Sequence, residues 1–165
     1  MKTHTTIDSP IGMLTLVNTD GVLSAAYMGE QARMPNRDSF GSSTSAGFEA
    51  ATEQLNEYFA GDRQEFSLPM APEGSPFQQR VWQLLTEIPY GQTRTYGQLA
   101  DELGNRHIVR AVGSANGRNP ISIIVPCHRV IGADGSLTGY GGGLERKRFL
   151  LDLENPARTH EPALF

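Results

Sequence analysis

Between positions 68 and 76 the chain reads LPMAPEGSP, and its texture changes on either side of that stretch. Three prolines and a glycine in nine residues leave no room for a helix or a central strand to pass through. The chain must therefore fold as two units joined there. On the N-terminal side, residues 3–28 alternate apolar and polar positions. They are broken by turn signals at Ser9-Pro10, Gly12 and Asn18-Thr19-Asp20-Gly21. That pattern predicts two or three antiparallel strands. The polar run from 30 to 46, with Pro35 and SFGSSTSAG at its end, reads as a loop. Residues 47–60 put Phe48, Ala51, Leu55, Tyr58 and Phe59 on one helical face, and Gly61 closes that helix. A short strand is expected near Gln64–Leu68.

Beyond the boundary the periodicity becomes helical. Ser75-Pro76-Phe77-Gln78 is a capping box with proline at the first helical position, where a missing N–H costs nothing. Phe77, Val81, Leu84, Leu85 and Ile88 form the apolar stripe of that helix. Thr95-Tyr96-Gly97-Gln98 repeats the capping pattern and opens a short helix through Leu103, which Gly104 stops. A further helix is expected from Asn105 to Asn116. Ile108, Val112 and Ala115 face its core side, and Arg106, Arg110, Gly113 and Gly117 face away. A short helix, a glycine turn and a second helix read either as a DNA-binding helix-turn-helix or as two packed core helices. The fold class is α+β, with an N-terminal α/β domain at 1–70 and a mainly helical domain at 71–165.

Composition narrows the class of function. With 38% hydrophobic and 19% charged residues in 165, the chain is an ordinary folded one. Its first residues have no apolar stretch of signal-peptide length, and no run approaches a membrane span. A cytoplasmic protein without a membrane partner is expected. The formal charge of −4 conceals an uneven spread. Residues 1–75 carry four Lys/Arg against ten Asp/Glu, and residues 76–150 carry nine against five. The helical half is thus locally basic, which suits a phosphate-bearing partner whatever the total.

That half also holds the single cysteine, in IIVPCHRVIG (123–132). One cysteine can form neither an internal disulfide nor a Cys-rich zinc site, so no metal is expected. A buried small hydrophobe after Ile123, Ile124 and Val125 is one reading of Cys127. A nucleophile is the other. Only the thiolate attacks, so a nucleophilic cysteine wants a base or a positive charge nearby; His128 and Arg129 are next in sequence, and His128 reaches the thiol through a water if the chain bends after Pro126. A histidine base wants a carboxylate to fix its tautomer. Asp152 and Glu154, on LERKRFLLDLE, are the two candidates. Downstream, TGYGGG (138–143) lacks the lysine and spacing of a phosphate-binding loop, so it is a turn or a pocket wall.

Taken together, PCHRV after aliphatics, RAVGSANGRNP upstream, IPYGQTRTYGQLA before that and GYGGGLERKRFLLDLE behind resemble the O6-alkylguanine-DNA alkyltransferases. The resemblance is dense from Phe77 to Glu154 and looser over IDSPIGMLTL and LNEYFAG. It implies a ribonuclease-H-like N-terminal sheet without catalysis, and a C-terminal helix-turn-helix that binds double-stranded DNA carrying O6-alkylguanine. It implies direct-reversal repair, in which Cys127 accepts the alkyl group irreversibly, once per molecule and without a cofactor. His128 would act as base through a water, oriented by Glu154, and Asn119 would brace the preceding turn. Tyr96 would help rotate the nucleotide and protonate the leaving guanine. Arg110 would fill the space left in the base stack. Arg106, Thr95 and Ser114 would contact DNA, and Tyr140, Gly141, Lys147 and the Val130 carbonyl would line the base pocket.

The chain departs from the family at Asn105–Val109, where proline and small residues are usual. It also departs at Gly141, where some members carry serine. Cooperative self-association on DNA stays open. Two rival readings remain: a lesion-sensing DNA-binding module of the same fold without transfer, and a cysteine hydrolase of small esters or peptides. An intact PCHR stands against the first, and the Arg106–Arg110 face against the second.

Overall fold

The structure, a computed structural model, describes residues 1–29, 34–137, 140 and 143–157. Strand β1 (Lys2–Ile7) pairs antiparallel with β2 (Leu14–Thr19), and β2 with β3 (Val22–Met28), as the alternation predicts. Asp20 and Gly21 join β2 to β3 with φ of 51° and 83°. Two successive positive-φ residues give a turn whose twist matches the strands it connects, and Asp-Gly reaches it at low cost.

Strand β2 is buried on both faces. Leu14 and Leu16 pack with Phe48 and with Ala51, Leu55 and Tyr58 of helix α1 (Glu49–Phe59). Val17 joins Ala25, Tyr27 and Phe40 in a second, smaller cluster.

Part of the stretch expected as a loop is regular. Arg37–Phe40 forms a 3-10 turn, and β4 (Ser42–Ser43) runs parallel to β1, giving the sheet order β3-β2-β1-β4. Phe40 stacks on Tyr27 with ring centroids 5.5 Å apart. One buried aromatic pins a segment whose polar composition conceals it.

The strand expected at Gln64–Leu68 does not form. The side chain of Gln54 accepts from the Ser67 N–H at 2.9 Å and donates to its carbonyl at 3.3 Å, taking the bonds a strand neighbour would have made. Contact with the sheet comes two residues later, where Met70 bridges Leu23 and the Ala71 N–H donates to the Leu23 carbonyl at 2.8 Å.

The second half contains α2 (Pro76–Thr86), α3 (Tyr96–Glu102), α4 (Val109–Gly117) and α5 (Leu144–Glu154). Both capping boxes are formed: Ser75 with Gln78, and Thr95 with Gln98. Each cap contributes about 1 kcal/mol and fixes where its helix begins. Helix α4 starts later than the periodicity suggests. Asn105 caps a 3-10 turn at Arg106–Ile108, and regular helix begins at Val109. Val112 and Ala115 are buried as expected, whereas Ile108 is only half-buried. Trp82, outside the predicted stripe of α2, is also buried and donates its indole N–H to the Ala115 carbonyl at 2.8 Å. That bond ties α2 to α4.

The two halves meet along β3. The Ala26 N–H donates to the Pro120 carbonyl at 2.8 Å, and the Ser122 N–H donates to the Ala26 carbonyl at 3.1 Å. The segment leading to Cys127 is thus docked on the edge of the N-terminal sheet. A two-stranded parallel pair, β5 (Arg94–Thr95) with β6 (Val130–Ile131), holds the chain on the far side of the cysteine.

Candidate active site and nucleic-acid interface

The residues before the thiol form a tight, strained connection. Asn119 braces it from inside. Its Oδ1 accepts from the Ile121 N–H at 3.1 Å, and its Nδ2 donates to the carbonyls of Val125 at 2.8 Å and Ile121 at 3.3 Å. Ile123 sits at φ 73° within this turn. A β-branched residue in the left-handed region costs about 1–3 kcal/mol and persists only where its surroundings over-determine it. Here Asn119 and the β3 edge do so. Replacing Asn119 with alanine leaves those buried groups without partners, so a loss of about 2–4 kcal/mol is expected in denaturant unfolding.

The chain bends at Pro126, and Cys127–Arg129 is a 3-10 turn rather than extended strand. The bend buries Cys127, His128 and Arg129 together, where a strand would have sent neighbours to opposite faces. Burial pushes the Cys127 thiol up. Hydrogen bonding from Asn119, the charge of Lys147, the residue's own backbone and the Tyr140 hydroxyl pull the other way. The resting group is therefore a thiol that needs a base.

His128 is fully buried, and its Nε2 lies 2.7 Å from Glu154 Oε2 at the end of α5. Asp152, the other candidate, is half-buried and is not a hydrogen-bond partner of the ring. Burial lowers the His128 pKa, against the opposing pull of Glu154. Burial would also raise the Glu154 carboxyl, but the charges and hydrogen bonds of His128 and Arg129 outweigh it and hold the group at about 2. Arg129 carries a permanent charge, so the carboxylate stays ionised whether or not His128 holds a proton. An ionised carboxylate only accepts, so the neutral ring carries its proton on Nε2. Among the described residues Nδ1 makes no hydrogen bond, and it is left as the basic nitrogen.

Two members of this cluster take parts that the sequence reading did not give them. Arg129 forks onto Glu154, Nε to Oε1 at 2.8 Å and Nη2 to Oε2 at 3.0 Å, and its Nη1 donates to the Ile88 carbonyl at 2.7 Å. Tyr58, from α1 in the other domain, donates its hydroxyl to Glu154 Oε2 at 2.6 Å. The arginine stands in PCHR as a charge beside the thiol, but its guanidinium serves the Glu154 carboxylate instead. Tyr58 gave no signal beyond lying on a buried helical stripe.

Beside the thiol, Lys147 is completely buried, and burial lowers its pKa to about 8. It donates to the Val130 carbonyl at 2.6 Å and lies 6.0 Å from the centre of the Tyr140 ring. The carbonyl expected to read a guanine amino group thus already accepts from Lys147. Gly141 lies outside the described residues.

On the outer surface, Arg110 and Ser114 are exposed one turn apart on α4. Arg110 makes no hydrogen bond or ion pair among the described residues. Arg106 differs, since its guanidinium clasps Asp101, with Nε 2.8 Å from Oδ1, so its charge is locally offset. Thr95 caps α3 through its hydroxyl, which accepts from the Gln98 N–H at 3.0 Å. Tyr96 is half-buried against Gly113 of α4, where a Cβ would stand 3.8 Å from its ring. That distance is an ordinary van der Waals contact, so the ring packs on α4 without requiring glycine at 113. Among the described residues no helix is long and apolar enough to cross a membrane.

Residues 76–156 match the DNA-binding domain of 6-O-methylguanine DNA methyltransferase, and residues 2–72 match that family's ribonuclease-like domain. The chain belongs to the 6-O-methylguanine DNA methyltransferase family. It is 53% identical over 163 residues to the methylated-DNA–protein-cysteine methyltransferase of Mycolicibacterium paratuberculosis, covering 99% of this chain and 96% of that one. A constitutive methyltransferase of the same name from Bacillus subtilis is 41% identical over 158 residues, covering 93% and 96%. Among solved structures, the O6-methylguanine methyltransferase of Mycobacterium tuberculosis superposes with a TM-score of 0.88 at 52% identity, covering 100% of this chain and 99% of that one. The OGT of the same organism, solved in complex with DNA, gives 0.87 at 52% identity over 93% of each chain. The family's domain matched over residues 76–156 is a DNA-binding one, and Arg110 is exposed on α4 within it.

Proposed function

We propose that the protein repairs O6-alkylguanine in duplex DNA by direct reversal, taking the alkyl group onto its own Cys127 in one irreversible turnover. Residues 1–70 act as the scaffold and 71–165 as the DNA-binding and transfer domain. The observation that carries this reading is a buried thiol beside a histidine whose tautomer a carboxylate fixes, one helix away from an exposed arginine face.

A base inside a duplex is shielded by stacking, so the nucleotide is rotated out into the site. Arg110 fills the gap from α4, with Arg106, Thr95 and Ser114 along the backbone and Tyr96 near the rotated phosphate. Tyr140, Val130 and Lys147 line the pocket. His128, through a water, takes the thiol proton. The sulfur then attacks the alkyl carbon in line with its bond to O6. A carbon–sulfur bond forms as the carbon–oxygen bond breaks. The released electron pair stays on guanine, which takes up a proton, with Tyr96 as the donor within reach. Atoms and charge balance with no further reagent. The thioether has no leaving group the site could expel, so each molecule acts once.

The deciding experiment is intact mass after incubation with a duplex carrying one O6-methylguanine, followed by peptide mapping. A gain of one CH2 on the Cys127 peptide, saturating at one per molecule, is expected. An unchanged mass with retained binding would transfer the reading to a lesion-sensing module. Arg110→Ala separates DNA recognition from chemistry. Its rate on the duplex is expected to fall roughly tenfold, with the rate on the free alkylated base little changed. Equal losses on both substrates would count against a role for Arg110 in rotating the base.

A further inference from the structure

The N-terminal domain carries no reacting group in the mechanism above, yet it sends one side chain into the relay. Tyr58 is 0% exposed and enters from α1. Its ring is fixed by Phe59, Phe66 and Tyr90, with centroids 5.3, 5.4 and 6.3 Å away. Its hydroxyl ends 2.6 Å from Glu154 Oε2, the same oxygen that meets His128 Nε2 at 2.7 Å and Arg129 Nη2 at 3.0 Å. Three donors converge on one carboxylate oxygen. Among the described residues Arg129 Nε alone takes the other, at 2.8 Å.

We infer that Tyr58 is a positioning residue for alkyl transfer: its hydroxyl sets the orientation and basicity of Glu154, and through Glu154 the proton affinity of His128. The inference rests on the relay proposed above. A carboxylate oxygen shared among three donors gives less of its charge to each. Remove the tyrosine hydroxyl and Oε2 turns toward the two that remain. His128 then sits against a stronger acceptor, and its protonated form gains. The groups facing His128 are Glu154 and Lys147 from α5 and Arg129 from its own turn, with Tyr58 from α1 and Tyr90 from the α2–α3 connection behind the carboxylate. Of these, only Tyr58 belongs to the N-terminal domain. The domain would thus do more than carry the sheet edge on which the cysteine segment docks.

Tyr58→Phe keeps the ring and removes only the oxygen. The base must be neutral to accept the thiol proton, so transfer weakens as pH falls through the His128 pKa. Raising that pKa moves the acid limb upward. Single-turnover transfer from an O6-methylguanine duplex, followed across pH, is expected to show the limb displaced upward by roughly half a unit in Tyr58→Phe. The 15N shifts of the His128 ring in DNA-free protein should move with it. Phe66→Leu disturbs the same aromatic cluster without touching Glu154, and is expected to lower stability while leaving the limb in place. A Tyr58→Phe limb and ring titration unmoved from wild type would overturn the inference. A wild-type profile with no acid limb at all would instead sink the relay on which it rests.

Discussion

Cys127→Ser is expected to bind a lesion-bearing duplex and leave the lesion intact. Serine fits the space, and its hydroxyl can use the Asn119 contact that the thiol uses, so stability should change by no more than about 1 kcal/mol. The chemistry should disappear. The His128–Glu154 pair can draw a proton from a thiol, which lies within a few units of neutrality, but not from an alcohol at the rate the displacement needs. Stoichiometry of alkyl uptake by intact mass should fall from one per molecule to none, while lesion affinity in a gel-shift titration stays near wild type. Retained transfer in the serine variant would show that the acceptor is some other side chain. Lost affinity would show that the thiol contributes to recognition as well as reaction.

Glu154→Gln should have the second largest effect, because it acts on stability and chemistry together. The carboxylate neutralises Arg129 in the interior and orients His128. Removing one partner of a buried pair leaves the other charge uncompensated, at a cost of about 3–5 kcal/mol. Transfer should drop roughly a hundredfold or more, since an amide can present its N–H to Nε2 and reverse the tautomer.

The stability loss carries its own pH signature. The folded carboxyl, at about 2, lies below the ordinary value of about 4.3 that it takes in an unfolded chain. Its stabilising contribution is full above the unfolded value and is lost as pH falls from about 4 towards 2. Denaturant midpoints measured across that window should fall for the wild type and change less for the variant. Parallel acid dependence in both proteins would mean that Glu154 is not the group that titrates there.

The local rules of the chain were readable without coordinates. Asp20-Gly21, the two capping boxes and Gly104 are chemical instructions confined to a few neighbouring residues, and each element they delimit lies where the pattern puts it. The site was readable to the same depth. His128 and Glu154 meet at 2.7 Å, and Cys127 is buried in the same turn as His128, because PCHR and the end of LERKRFLLDLE carry these groups. Which acid meets the histidine was another matter. Asp152 and Glu154 lie on the same helix end; the residues alone left both open, the resemblance pointed to Glu154, and the packing of α5 against the cysteine turn sets that carboxylate on the ring.

Errors in the sequence reading share one cause. The strand expected at Gln64–Leu68 has strand-like residues, but Gln54, ten or more positions earlier, takes the bonds of Ser67. Phe40 looked like part of a polar loop until Tyr27 supplied a surface to stack on. Arg106 and Arg110 look alike in the chain and are both exposed, and only the position of Asp101 gives one of them an ion-pair partner among the described residues.

The sequence by itself determined the β2–β3 hairpin turn and the starts of the two capped helices, that one thiol precedes one histidine in the chain, and that a basic helix follows a capped one. These depend on interactions over at most a few residues, and such interactions travel with the sequence. Tertiary structure alone decided that the segment before Cys127 completes the edge of β3. It also decided that Ile123 is held at φ 73° and that a tyrosine 96 residues away reaches Glu154. Those features exist because distant segments must satisfy each other's buried polar groups once water is excluded, a constraint that has no period along the chain.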